Sequence, residues 1–69
     1  MKHYFIKGAI RDGEHEYSKS IVCRRKGMTP RQANKAFLSY FSTGDYRIVT
    51  VDYFHEIPKQ DYEVLKKYL

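Results

Sequence analysis

Apolar and polar residues alternate from Lys2 to Arg11, which is the pattern of a β-strand with two unlike faces. Asp12-Gly13 follows, a dipeptide that accepts the positive φ angles of a tight type I′ turn. Residues 14–25 then alternate again and are expected to form the return strand. The beginning of the chain therefore predicts a β-hairpin.

The expected register of this hairpin follows from a two-residue loop at Asp12-Gly13. That loop pairs Arg11 with Glu14, Tyr4 with Ile21 and Ile6 with Lys19. One face of the hairpin is then largely apolar, and its members are Tyr4, Ile6, Ile10, Tyr17, Ile21 and Cys23. Phe5 and Val22 lie among polar residues on the other face. A three-residue loop would shift the pairing by one residue and mix the faces, which counts against it.

The next segment carries the start signal of a helix. Thr29 is a capping residue, Pro30 suits the first helical position, and Gln32 completes the spacing of a capping box. Apolar residues follow at helical spacing and form one stripe, consisting of Ala33, Ala36, Phe37, Tyr40 and Phe41. Gly44 is the expected stop.

Residues 46–56 predict a third strand. Its apolar residues fall on both sides, as in a covered or central strand or in a strand that contains a small bulge. Ile57-Pro58 opens a short C-terminal helix with a stripe of Tyr62, Leu65 and Leu69. The predicted order of elements is ββαβα.

These elements predict a single compact α+β domain over residues 1–69. Placing the third strand beside the first makes every strand pair antiparallel, so we expect a three-stranded sheet of order 2-1-3 with the first helix across one face. The last helix could complete that core, cover the second face or dock on a partner. The sequence leaves these three alternatives open.

Composition agrees with a small folded protein. The 69 residues are 42% hydrophobic and 16% aromatic, which excludes a disordered chain. Cys23 is the only cysteine, so the fold is expected to stand without an internal disulfide. The chain has no apolar run of membrane-spanning length and no secretory hydrophobic segment near its first residue. We expect a cytoplasmic protein without membrane contact.

Charge is unevenly distributed along the chain. Residues 1–35 contain nine basic and three acidic residues, whereas residues 36–69 contain four basic and five acidic ones. No acidic residue occurs between Tyr17 and Gly44. Such asymmetry favours anionic partners, nucleic acid above all, although a solvated basic face that maintains solubility would have the same composition.

Catalytic and metal-binding patterns are weak. The three histidines are scattered over predicted strands, Cys23 falls on the predicted core face, and no phosphate-loop, dinucleotide or zinc-protease motif occurs. We therefore expect neither an enzyme nor a metal or cofactor site.

The most coherent candidate site is Arg24-Arg25-Lys26, which precedes the first helix. A helix N-terminus attracts anions, and Arg31 and Lys35 would extend the positive surface along that helix. Lys7 lies beside Phe5 on the other sheet face, where aromatic and cationic groups could together bind nucleic acid. These residues predict contacts to phosphates, although a loop between strand and helix is polar in most proteins anyway.

A protein-interaction module is the alternative. Tyr62, Tyr68 and Lys66 on the last helix would then contact an acidic protein or a nucleoprotein complex. In size and organisation the chain resembles accessory proteins of phages and mobile elements, including inhibitors of host defence. Nucleic-acid binding requires the basic residues to share one continuous face, and a scattered arrangement favours the alternative. The sequence is compatible with a monomer or a homodimer.

Overall fold

The computed structural model describes residues 1–41 and 48–69, with two helices and three strands in the predicted ββαβα order. The strands are β1 (Lys2–Asp12), β2 (His15–Arg25) and β3 (Ile48–Ile57). The helices are α1 (Pro30–Phe41) and α2 (Lys59–Lys66). The expected helix stop at Gly44 and the expected first strand residue, Tyr46, lie outside the described residues.

The three strands form one antiparallel sheet of order β2-β1-β3, which confirms the predicted α+β topology. The predicted register of the hairpin is wrong by two residues: Ile6 pairs with Ile21 and Tyr4 with Cys23. The loop consists of Gly13 and Glu14, and Gly13 has a φ of 64°. This register sets isoleucine against isoleucine where the predicted one set Ile6 against a lysine. A shift of two residues preserves the faces, because side chains alternate with a period of two.

A β-bulge interrupts the pairing of β1 with β3. Lys7 pairs with Tyr53 and Gly8 with Val51, so Asp52 is an extra residue on β3. When the residues of this strand are assigned to faces by strict alternation, apolar residues appear on both faces, and the bulge explains why. It places Phe54 with Val51 on one face and Tyr53 with His55 on the other. Strict alternation would instead set Phe54 on the same face as Thr50, which pairs with Ala9.

Helix α1 packs across one face of the sheet, which we call the α1 face. Phe37 and Ala33 are fully buried there against Ile6, in a cluster that includes Tyr4, Ile21, Cys23 and Ala36. Gly8 allows the close approach, because a Cβ at this position would lie 2.8 Å from two ring atoms of Phe37 and overlap the carbonyl oxygen of Thr50.

Helix α2 covers part of the opposite face, the α2 face, as the second of the three alternatives for the last helix expected. The Tyr62 ring packs 4.7 Å from the His3 ring between centroids, and Val22 is buried beneath this helix layer. Neither helix of the described chain is long and apolar enough to span a membrane.

Candidate nucleic-acid interface

The two arginines that end β2 point to opposite faces of the sheet. Arg24 pairs with His3 and therefore lies on the α2 face, whereas Arg25 lies on the α1 face. The Arg25 guanidinium donates a hydrogen bond of 2.7 Å to the carbonyl of Arg24. Although the two arginines are neighbours in the sequence, their side chains therefore do not contribute to the same surface of the protein.

Three of the predicted site residues do come together. Arg25, Lys26 and Lys35 line an open cavity of about 410 Å³ beside α1, with Gln32 and Ser39 among its polar walls. We call this group the cationic cavity. It lies between the end of β2 and the side of α1, so both the hairpin and the helix position its charges.

The remaining predicted cations lie elsewhere. Arg31 is exposed, and it lies two positions from the buried Ala33, which places it on the outer side of the helix. Lys7 lies on the α2 face, opposite Tyr53. The predicted continuous surface is thus divided into a cavity of three cations, an outward-facing arginine and two cations on the other side of the sheet.

Within residues 1–41 and 48–69, no carboxylate forms an ion pair with the charges of the cationic cavity. Ion pairs in the described part of the chain join Lys2 to Glu56 and Arg11 to Glu16, each at 3.9 Å, and neither uses a cavity residue. The cavity lies within the segment that the sequence leaves free of acids from Tyr17 to Gly44. An anion that enters it meets two ammonium groups and one guanidinium group that form no ion pair with a described carboxylate.

The N-terminus of α1 contributes less to anion binding than the sequence suggested. The Gln32 N–H donates to Thr29 Oγ1 at 3.2 Å, the Thr29 N–H donates to Gln32 Oε1 at 2.9 Å, and the Ala33 N–H donates to the Thr29 carbonyl at 2.9 Å. Pro30 has no N–H. The predicted capping box is therefore present. In the first turn of the helix, the Arg31 N–H is the one donor that has no acceptor within the described residues.

Sequence reasoning missed an aromatic cluster on the α2 face. The rings of Tyr53 and His55 stack with centroids 5.7 Å apart and planes at 12°, and Phe5 lies 6.2 and 5.6 Å from them. Tyr53 is 47% exposed, and Lys7 lies opposite it. Tyr53 and His55 are two residues apart on β3 and so share a face, and Phe5 pairs with His55. The apolar residues on both sides of the strand were the available signal.

The residues of the alternative interface differ in their accessibility. Tyr62 is only 9% exposed and packs on His3, so its ring stabilises the α2 contact and is not an accessible anchor for a partner. Tyr68 is 81% exposed. The Lys66 ammonium lies 5.7 Å from the centroid of the Tyr62 ring, at the distance of a cation–π contact.

Cys23 is buried on the α1 face, as the alternation predicted. Burial raises the pKa of its thiol, and the nearby Arg25 opposes that shift only in part. Among residues 1–41 and 48–69, no three His, Cys, Asp or Glu side chains are grouped so that they could hold a metal ion.

No known protein-family model matches the chain, and no curated protein or solved structure shows significant similarity to it.

Proposed function

We propose that this protein is a small, basic, non-catalytic binding module that contacts nucleic-acid phosphates through the cationic cavity. The observation that carries the proposal is the convergence of Arg25, Lys26 and Lys35 on one open cavity without a carboxylate partner in the described chain. Arginine and lysine at such a surface bind phosphate oxygens without reading bases. Affinity is therefore expected to depend strongly on salt and weakly on sequence.

The test is binding of fluorescently labelled DNA and RNA, measured by anisotropy at several salt concentrations. Each neutralised phosphate contributes a slope of about −0.9 on duplex, or about −0.7 on single strands, to the dependence of log K on log salt. The double variant Arg25→Ala/Lys26→Ala should reduce the magnitude of that slope and weaken binding equally for unrelated sequences. Both residues are exposed, so folding should be preserved.

A matched control removes the same charge elsewhere. Lys59→Ala/Lys67→Ala deletes two exposed lysines at the ends of α2, on the other side of the molecule from the cavity. It should leave the slope nearly unchanged. An equal loss in both double variants would mean that net charge, and not the cavity, attracts the nucleic acid. Absence of binding at low salt would refute the proposal.

A protein-interaction role is the second candidate, and two observations favour it. The cations that the sequence expected on one continuous face are divided, since Arg24 and Lys7 lie on the α2 face. Tyr68 is exposed beside Lys66 and Lys67. An aromatic ring next to two cations suits an acidic protein surface, including that of a nucleoprotein complex. Under this alternative the protein would act as an accessory or inhibitor protein of the kind that phages and mobile elements encode. Tyr68→Ala should then abolish binding to the protein partner and leave oligonucleotide affinity unchanged.

A further inference from the structure

Strand β2 is an outer strand with an unusually regular free edge. It pairs with β1 without irregularity from Lys2↔Arg25 to Asp12↔His15. In a two-residue hairpin the residues that flank the loop share a hydrogen bond, and the pattern then alternates. The backbone N–H and C=O groups that point away from β1 therefore belong to Glu16, Ser18, Ser20, Val22 and Arg24.

The opposite edge of the sheet, β3, is interrupted by the bulge at Asp52, and a bulge of this kind discourages pairing with another strand.

The free edge lies along a groove of about 600 Å³ between the C-terminal ends of both helices. Tyr40 and Phe41 line it from the α1 side, and Tyr62, Lys66 and Leu69 line it from the α2 side. Tyr40 belongs to the apolar stripe of its helix and is nevertheless 61% exposed, and Leu69 is 57% exposed. Both side chains line the groove beside β2. One additional strand beside β2 would lie between them.

The charges along β2 complement those of a second copy of the same strand. Antiparallel pairing about a two-fold axis at Ser20 sets Glu16 opposite Arg24 of the partner subunit, twice in the symmetric dimer. All five outward-facing residues of each strand take part in this pairing. Each contributes one N–H and one C=O, so the two strands together form about ten main-chain hydrogen bonds. Moving the axis to Lys19 would set that lysine against Lys19 of the partner subunit. Opposite charges across paired strands stabilise them and like charges destabilise them, so the charges favour the axis at Ser20 over the axis at Lys19.

We propose that the protein forms a homodimer through antiparallel pairing of β2 with β2 of a second copy, centred on Ser20, to give a continuous six-stranded sheet. Such a contact is isologous, as a two-fold axis requires. It buries Tyr40 and Leu69 against the partner on the two faces of the joined sheet. The inference is independent of nucleic-acid binding.

Sedimentation equilibrium over a range of protein concentrations tests the proposal. The wild type should be a dimer. Ser20→Pro should be a monomer that retains its circular dichroism spectrum, because the lost N–H points away from β1 and proline is tolerated on such an edge. Ser20→Ala is the matched control and should remain dimeric. A wild type that stays monomeric near millimolar concentration, or a dimer that survives Ser20→Pro, would overturn the proposal.

Charge exchange tests the register separately. Glu16→Arg and Arg24→Glu should each weaken the dimer by about tenfold or more, since each places like charges opposite one another. The double variant Glu16→Arg/Arg24→Glu restores opposite pairs across the interface and should regain most of the affinity that Arg24→Glu loses. It does not restore the pair of Glu16 with Arg11 within one subunit. Rescue by the double variant is specific to this register, because the two residues lie far apart within one subunit. Failure of the rescue would exclude the axis at Ser20.

Discussion

The two faces of the sheet are built differently. On the α1 face, Phe37, Ala33 and Ile6 are fully buried in one cluster, and a capping box fixes the start of the helix. On the α2 face, Val22 and Tyr62 are the buried residues of the described chain, and α2 has eight residues and no side-chain cap. Tyr53 on that face remains half exposed.

This difference indicates how so short a chain divides its apolar residues. A domain of this size buries only about 60% of the surface of its unfolded chain, so it cannot build two complete cores. Stability is concentrated between α1 and the sheet. The α2 face and the sheet edge keep aromatic and apolar groups within reach of a partner.

The largest expected effect is that of Phe37→Ala. Emptying the centre of the α1 face should lower the free energy of unfolding by roughly 3–5 kcal/mol, measured by urea denaturation. Tyr62→Ala is the comparison on the other face and should have a clearly smaller effect, because its ring packs at the rim of the sheet. Equal losses from the two substitutions would contradict the unequal division of the core.

Gly8→Ala should be the next most damaging change. The added Cβ would meet the Phe37 ring and the Thr50 carbonyl, and overpacking of this kind costs about 1–3 kcal/mol. Ala9→Gly is a control on the neighbouring position, which faces the other way. A Gly8→Ala protein as stable as the wild type would show that α1 does not pack so closely on the sheet.

Thr29→Ala should lower the free energy of unfolding by about 1 kcal/mol, because it removes the hydroxyl that accepts from the Gln32 N–H. Thr29→Ser keeps that acceptor and should restore most of the stability. Thr29→Ala also frees the N–H of Gln32, a residue that lines the cationic cavity. The affinity for phosphate should therefore not decrease in this variant. A parallel loss of affinity would mean that the capped conformation itself shapes the cavity.

Cys23 provides the smallest and most local test. In the native state its thiol should react slowly with an alkylating reagent, whereas Gln60→Cys in a Cys23→Ala background should react quickly, because Gln60 is exposed on α2. The pKa of Cys23 is raised in the folded state, so its contribution to stability is complete below the ordinary value of 9.0 and is lost as the pH rises through the folded value. The stability difference between wild type and Cys23→Ala should therefore change only in alkaline solution.

Much of the fold could be predicted because its signals are local. Alternation fixed which hairpin residues share a face, and the spacing of Thr29 and Gln32 indicated the cap. The register was missed because Asp12-Gly13 is compatible with the loop beginning at either residue, and the better match of Ile6 with Ile21 depends on long-range packing. The bulge at Asp52 likewise depends on how β3 fits beside β1.

The candidate site was harder to predict because it depends on three-dimensional placement. Arg24 and Arg25 are neighbours in the sequence, yet consecutive residues of a strand point to opposite faces, which the alternation itself implied. The occupied N–H groups of α1 follow from the capping box and were also predictable in principle. The meeting of Lys35 with Arg25 depends on how the helix crosses the sheet, and no local pattern encodes it.

The position of Arg25 at the end of β2 has a consequence for the length of nucleic acid that a dimer would cover. Arg25 lies five residues from Ser20, so two copies joined there would carry their cationic cavities about 34 Å apart along the strand direction, on the same side of the joined sheet. That spacing equals about one helical turn of B-form DNA, the distance at which two-fold symmetric proteins meet successive grooves. A duplex shorter than one turn would reach a single cavity, whereas a longer duplex would reach both cavities of the dimer. Affinity should therefore rise steeply with duplex length in the wild type and only gradually in Ser20→Pro.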